Sequence, residues 1–355
     1  MELTELYSGL PSHGEQPLLS TMNMAKNEFS LPTRVSNADI NSIKEAALII
    51  GSGGLVAFPT ETVYGLGADA TNSTAVAKLY AAKGRPSFNP LISHVADQEL
   101  AEKLGIFNVD ARKLAETIWP GPLTIVVPKT THCTVCDLAL SGLQTIALRI
   151  PSHGVARDLI KASQRPIVAP SANLSGRVSP TQSEHVFNDL LGRIDLILDG
   201  GNAEIGVEST IISCLDDEVR LLRPGGIATS VLEATLGKSI LYNSRNTVLH
   251  GKLMAPGMLD SHYAPNALVR LNAETVLDGE SLLSFGKIET KNAQNARRIL
   301  NLSPSSDLIE AAANLFQYLR ILDKDGISMI AVNPIPNVDL GEAINDRLQR
   351  AASPR

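Results

Sequence analysis

FPTETVYGLG (Phe58–Gly67) followed by KGRPSFNPL (Lys83–Leu91) decides the fold. The first stretch continues LVAF (55–58), a short apolar run of strand character, and the second opens onto another at Leu91–Val95. Between them, Asn72 or Ser73 is placed to cap a helix carrying Val76, Leu79 and Tyr80. Strand, helix and strand in that order predict an α/β domain. In KGRPSFNPL, Gly84, Pro86 and Pro90 disfavour regular structure, so Lys83, Arg85 and Asn89 are expected on a shaped loop. Such loops tend to carry binding residues. Arg offers a planar fork and Lys a point charge, a pair suited to a polyphosphate. Taken alone, KGR reads as an ordinary solvated loop.

Toward the N-terminus, Ile40, Ile43, Ala47 and Ile50 recur at helical spacing after Asn37, a plausible N-cap, until Gly51 and Gly53 end the run. Residues 1–35 are rich in Ser, Pro, Gly and Asn without a period. They read as a mobile extension, or as an over-long start with Met22 or Met24 as the first residue. Toward the C-terminus, helices are expected through Leu100 and Leu104, over Asp110–Ile118, over Gly154–Ser163 and over 181–191. LTIVV (123–127), TIALRI (145–150), PIVAPS (166–171), LILDGG (196–201), STIISC (209–214) and VRLLRPGG (219–226) read as strands. The result is a large mixed-sheet α/β domain over 36–236, closed by a helical piece at 227–236; periodicity does not give its strand order.

Residues 237–265 lose periodicity and carry APGMLDSHYAP (255–265), an irregular connector marked by Pro256, Gly257 and Pro265. Alternation resumes over 266–355 with ALVRL (267–271), LLSFG (282–286) and SMIAV (328–332). A helix places Leu308, Ala312, Leu315, Leu319 and Leu322 on one face, and a last helix runs from Glu342 to about Ala352. This is a smaller second α/β domain.

At 355 residues the chain is long for one domain and comfortable for two. Its 44% apolar and 19% charged residues suit a soluble globular protein. No apolar run approaches a membrane span, and the start lacks the features of a secretory signal. Three cysteines build no disulfide framework and point to a reducing cytoplasm. A net charge of −6 argues against a general nucleic-acid coat, while leaving room for cations gathered in one pocket.

No P-loop, GxSxG elbow or HExxH occurs. Gly65–Ala70 mimics GxGxxA without opening a helix directly, a weak dinucleotide fingerprint. His132, Cys133 and Cys136 lack a fourth ligand for zinc and read as loop residues; no metal ligands are assigned. What accumulates instead is a set of strand-end groups suited to anions and hydroxyls. Arg149 ends TIALRI before Pro151; APSANLSG (169–176) sets Ser171, Asn173 and Ser175 on alternate residues; Ser179, Ser209, Thr210 and Arg223 follow. Singly, each reads as a turn or a surface ion pair. Together, at strand ends where open α/β sheets collect ligands, they suit a nucleoside triphosphate with a small polar co-substrate.

FPTETVYGLG, KGRPSFNPL, WPGPLTIVV, ALRIPSH, APSANLSG, GVESTI and LLRPGGI, in this order and spacing, resemble the YrdC-type L-threonylcarbamoyladenylate synthase family. APGMLDSHYAP and GEAINDRLQRAA resemble its longer members, in which a YrdC-like domain is joined to a smaller Rossmann-like domain. The similarity covers about residues 37–355. It implies a nucleotidyltransferase that turns L-threonine, bicarbonate or CO2, and ATP into L-threonylcarbamoyl-AMP, pyrophosphate and water. The product serves threonylcarbamoyladenosine formation beside the anticodon of ANN-decoding tRNAs, through downstream threonylcarbamoyl-transfer proteins.

The resemblance places ATP contacts on Lys83, Arg85, Asn89, Thr145, Ser171, Asn173, Ser179, Arg223 and Tyr263, with His262 beside it, and Mg2+ accompanying the nucleotide. It places threonine contacts on Thr60, Thr62, His94, Arg149 and Ser209. Lys83 and Arg85 are assigned the catalytic phosphate contacts, His94 is a general-base candidate by pKa class only, and residues 255–265 are expected to form a lid. Two rivals are a tRNA- or double-stranded-RNA-binding module without chemistry, with weak tRNA binding its minimal form, and a carbamoyltransferase using carbamoyl phosphate. The latter needs acylphosphatase and zinc-finger segments that this sequence does not show.

Overall fold

The structure, a computed structural model, describes residues 31–242, 262–324 and 326–354. Strand β1 (Arg34–Asn37) leads into α1 (Ile40–Gly51), β2 (Val56–Phe58), β3 (Gly65–Asp69), α2 (Ser73–Lys83) and β4 (Ile92–His94). Then come α3 (Gln98–Leu104), α4 (Val109–Ile118), β5 (Leu123–Pro128), β6 (Thr145–Arg149), α5 (Gly154–Ser163) and β7 (Ile167–Val168). The series closes with α6 (Ser183–Leu190), β8 (Leu196–Asp199), β9 (Thr210–Ser213), β10 (Arg220–Arg223), α7 (Thr229–Leu236) and β11 (Leu241–Tyr242). Among the described residues these strands form one sheet of eleven, ordered β1-β8-β2-β3-β7-β4-β6-β5-β9-β10-β11. It is mixed: β4 runs parallel to β6, and β5 parallel to β9, whereas β5 and β6 are antiparallel.

Both faces of the sheet are covered, which is why its strands read as apolar runs rather than as alternations. On one face Ile43, Ala46 and Ile50 of α1 and Leu159 and Ile160 of α5 pack on Val56, Phe58 and Leu196. Each of the larger side chains among them, Val, Leu, Ile or Phe, stabilises the fold by about 1.5–3 kcal/mol. On the other face Leu79 of α2 and Leu114 of α4 meet Leu66, Ile125 and Leu148.

Three local expectations are corrected. The N-cap of α1 is Asp39, whose carboxylate accepts from the backbone N–H groups of Asn41 and Ser42 at 2.9 and 2.8 Å. Asn37 is instead held in the sheet, in register with Asp199. Residues 34 and 35, read as extension, are therefore strand, and residues 1–30 with Met22 and Met24 lie outside the described residues. In PIVAPS only Ile167 and Val168 are strand, because the prolines on either side donate no ladder hydrogen bond.

The second part holds β12 (Leu268–Arg270), β13 (Ser281–Ser284), β14 (Ile299–Asn301), α8 (Leu308–Lys324), β15 (Met329–Val332) and α9 (Leu340–Ala352). Its sheet, β12-β15-β13-β14, is parallel throughout. Strand β14 escaped the sequence reading because it is short and only partly buried. The amphipathic α8 buries Ala311, Ala312, Leu315, Phe316, Leu319 and Leu322. Val63, Val178 and Val207 of the large-sheet part join that same cluster, so the two parts share apolar core. Of the connector, 241–242 pair with β10 as β11, and 243–261, including most of the expected lid, lie outside the described residues.

Candidate active site

The register of the sheet brings the site together. β4 and β6 are parallel, with His94 opposite Arg149 at their C-terminal ends. Ser209 stands just before β9, and Arg223 ends β10. Thr60 and Thr62 sit on the turn between β2 and β3, and Ser171 follows β7. These residues, with Arg85 and Tyr263, line one recess that is partly open to solvent.

The loop Pro59–Tyr64 is fixed by its own hydroxyls. Thr60 Oγ1 donates to the Val63 carbonyl at 2.6 Å and lies 2.8 Å from Thr62 Oγ1. Arg149 donates through Nη2 to Glu61 Oε1 at 2.7 Å and through Nε to the Gly121 carbonyl at 3.3 Å. Burial raises the Glu61 pKa, but the Arg149 charge and hydrogen bond outweigh it and leave the carboxyl below its usual range. The other Glu61 oxygen is buried and takes no hydrogen bond among the described residues. Burial, reinforced by Arg149, pushes His94 down to about 3. His94 is therefore a neutral imidazole near pH 7, and a weaker base than an ordinary histidine. Ser209 Oγ is held 2.8 Å from Thr124 Oγ1.

Arg223 donates through Nη2 to the Ser209 carbonyl and hydroxyl at 2.8 and 3.2 Å. Burial lowers the Arg85 pKa to about 10, so the guanidinium stays charged at neutral pH. It donates to the Pro90 carbonyl at 3.2 Å, and its buried Nε takes no partner among the described residues. Gly225 lets these strands approach: a Cβ there would lie 2.3 Å from the Glu208 carbonyl oxygen. Gly206, at φ +78°, packs the GVEST loop on the backbone of α8, where a Cβ would lie 2.4 Å from the Ala312 carbonyl oxygen.

Lys83 is placed differently from expectation. It is the last residue of α2, before the left-handed Gly84, rather than part of the loop. Its buried Nζ donates to the carbonyls of Ser171 and Asn173, so it stands behind the recess wall and ties the SAN turn to α2. Burial, then the charge of Arg85, lowers its pKa. Asn89, Asn173 and Ser179 are likewise buried around the recess without lining it. Thr145 begins β6, at the opposite end from Arg149, and does not line the recess.

The sequence reading missed four groups. Glu61 and Glu208 were visible inside PTET and GVEST but carried no role; Thr124 lay inside an apolar strand. Arg347, on α9, is fully buried and donates to Glu208 Oε2 at 2.7 Å. Nothing local in the sequence ties it to residues over a hundred positions away. Tyr263 is buried, stacks on Phe316 with ring centroids 5.6 Å apart, and lies 5.1 Å below the Arg347 guanidinium.

Around the recess the buried cations Lys83, Arg85, Arg149, Arg223 and Arg347 outnumber the buried carboxylates Glu61 and Glu208. An anionic ligand offsets such an excess. Both carboxylates are taken by arginines, and no group of metal-binding side chains occurs among the described residues. The described residues around the recess therefore offer no ready set of metal ligands of their own. Cys133 and Cys136 are free thiols, raised in pKa by burial, and Cys136 N–H donates to the Ala70 carbonyl at 2.9 Å.

Residues 48–225 match the Sua5/YciO/YrdC family model described as "Telomere recombination", and residues 227–353 match "Threonylcarbamoyl-AMP synthase, C-terminal domain". The chain is 41% identical over 325 residues to a Bacillus subtilis threonylcarbamoyl-AMP synthase, covering 88% of this chain and 93% of that protein. It is 40% identical to a Pyrococcus abyssi protein of the same name, over 88% and 94% of the two chains. The crystal structure of Pyrococcus abyssi Sua5 complexed with L-threonine superposes with a TM-score of 0.81 at 37% identity, over 91% of this chain and 97% of that one. Two matched domains in the same order, one fold and near-complete mutual coverage place this chain in the two-domain YrdC/Sua5 family of threonylcarbamoyl-AMP synthases.

Proposed function

We propose that this enzyme converts L-threonine, bicarbonate and ATP into L-threonylcarbamoyl-AMP, pyrophosphate and water, as a nucleotidyltransferase serving threonylcarbamoyladenosine formation in ANN-decoding tRNA. The observation that carries this reading is the convergence of two kinds of residue on one recess. Thr60, Thr62, His94, Arg149 and Ser209 suit an amino acid with a hydroxyl; Arg85, Arg223 and Ser171 suit phosphates. The three cysteines are free, and no helix among the described residues is long and apolar enough to cross a membrane, which fits the cytoplasmic setting we assign.

The chemistry asks mainly for positioning and charge. Threonine's ammonium gives a proton to bicarbonate, which dehydrates to CO2 and water. The neutral nitrogen attacks CO2 and releases its second proton to solvent, leaving a carbamate. A carbamate oxygen then attacks the α-phosphorus, and pyrophosphate leaves with the electrons of the broken P–O bond. Arg149 holds the threonine carboxylate or the nascent carbamate, with Glu61 fixing its guanidinium. Neutral His94 and the Thr60–Thr62 pair orient the amino acid by hydrogen bonds. Arg85 and Arg223 offset charge on the phosphates, the largest kind of contribution such reactions draw on. Lys83 supports the Ser171 turn from behind. Mg2+ supplies further charge neutralisation when bound with ATP.

The test is pyrophosphate release by the purified full chain, with threonine and bicarbonate each present or omitted. Release that requires both substrates, with threonylcarbamoyl-AMP in the product, is expected. Release with neither marks a plain nucleotide hydrolase. No release from a folded, ATP-binding protein that binds tRNA in a salt-dependent way would replace this reading with an RNA-binding module. Dependence on carbamoyl phosphate would replace it with a carbamoyltransferase.

A further inference from the structure

Resting on that reading, we propose that Arg347 of α9 is a positioning residue for the nucleotide half of the recess, so that the C-terminal part of the chain holds the ATP-binding walls in register. Arg347 is fully buried and makes contact with three separate wall segments. Its Nε donates to Glu208 Oε2 at 2.7 Å, its Nη1 donates to the Pro224 carbonyl at 3.0 Å, and its plane lies 5.1 Å from the Tyr263 ring centroid. Two of the segments carry residues assigned to the nucleotide, Arg223 and Tyr263, while Glu208 precedes Ser209, assigned to threonine, and reaches the nucleotide side through Ser179. Pro224 follows Arg223, and Tyr263 lines the recess itself.

Glu208 extends the arrangement further. Its other oxygen accepts from Ser179 Oγ at 2.5 Å, so one carboxylate joins Arg347 to Ser179 across the two parts of the chain. Burial favours the protonated acid, but Arg347, Arg223 and these hydrogen bonds hold the Glu208 carboxyl at about 2. A rigid fork suits this task, because one guanidinium can serve a carboxylate, a carbonyl and a ring face at fixed angles.

A plain domain clamp is the competing explanation, and other residues already fill that role. Arg320 pairs with Asp189 at 2.7 Å and donates to the Val178 carbonyl, while Glu342 accepts from Thr229 and Tyr242 at 2.9 and 3.1 Å. The Glu342 contacts come from the same helix as Arg347 but touch no lining residue of the recess. Arg347 meets both Glu208 and Tyr263.

The experiment measures the affinity of a non-hydrolysable ATP analogue and the KM values for ATP and threonine in wild type, Arg347→Lys, Arg347→Met and Glu342→Gln, with Tm for each. Arg347→Met is expected to weaken ATP binding by tenfold or more while the threonine KM moves less than threefold. Arg347→Lys, which keeps a charge beside Glu208 without the fork, is expected to fall between Met and wild type. Glu342→Gln is expected to stay within twofold of wild type. Unchanged ATP affinity in Arg347→Met overturns the proposal. So does an equal loss for both substrates that simply follows Tm. In wild type, hydrogen exchange of the α9 amides is expected to slow at least threefold when the analogue binds, and no slowing overturns the proposal even if both Arg347 variants fail to fold. Because binding is read without turnover, a wild type that lacks threonine-dependent pyrophosphate release would remove the proposed reaction while this assay still judges Arg347.

Discussion

Arg149 and Glu61 form a salt bridge of 2.7 Å in which both side chains are about 95% removed from solvent, 5% and 4% exposed. Removing one member of such a pair strands the other charge. Glu61→Gln is therefore expected to lower stability by about 3–5 kcal/mol and to raise the threonine KM more than the ATP KM. Saturating threonine, whose carboxylate gives Arg149 a replacement partner, is expected to restore part of the lost Tm. Differential scanning fluorimetry with and without threonine checks both statements.

Lys83 and Arg85 are two positions apart and are expected to fail differently. Arg85 faces the recess, so Arg85→Ala is expected to raise the ATP KM by roughly 10- to 100-fold, the loss of a charge-assisted contact. Lys83→Met removes the tie between α2 and the carbonyls of Ser171 and Asn173. It is expected to lower Tm as well as ATP affinity. Paired measurements of Tm and ATP KM separate the two roles.

Gly225→Ala places a methyl group against the backbone of Glu208, Ser209 and Thr210, at 2.3–2.4 Å. Backbone cannot step aside as a flexible side-chain tip can. A loss of about 3 kcal/mol is expected, read as a Tm lowered by roughly 5–10 °C, together with loss of pyrophosphate release.

Acidification is expected to weaken the fold before any carboxylate protonates. Burial holds His94 and His262 at about 3 in the folded chain, against about 6.5 when unfolded. Their stabilising contribution is complete above pH 6.5 and is lost as pH falls toward 3, because the unfolded chain then binds more protons. Each histidine adds a slope of about 1.4 kcal/mol per pH unit in that window. Chemical denaturation at pH 7, 6 and 5 checks the slope, and His94→Gln is expected to flatten it.

How far the site could be read from sequence depended on the distance between partners. The strands LTIVV and TIALRI, the helix over 154–163 and the apolar face of α8 followed from local pattern, because burial on the sheet or in the shared core writes itself into consecutive side chains. The gathering of Thr60, Thr62, His94, Arg149 and Ser209 was reached through the resemblance of ordered motifs, since strand order is not contained in periodicity. What local pattern hid was set by partners far away. Asn37 gave up the cap of α1 to Asp39 because Asp199 holds it in the sheet. Lys83 looked like a loop cation because its two carbonyl partners come nearly ninety residues later. Arg347 carried no role inside the last helix, because its partner Glu208 lies 139 residues earlier in the chain.

Strand β1 pairs with β8, and Thr33 Oγ1 donates to the Ile194 carbonyl at 2.6 Å across a sequence separation of 161 residues. Strand β2 also pairs with β8. During synthesis, both early strands therefore wait for a partner made much later, and contacts of such long sequence separation slow folding. Until residues 196–199 have left the ribosome, the β2 edge that β8 will cover stays open to other chains. This side of the large sheet thus closes late, and the vulnerable interval of the β2 edge in the cell ends with the emergence of β8, while β5 waits until β9 has followed.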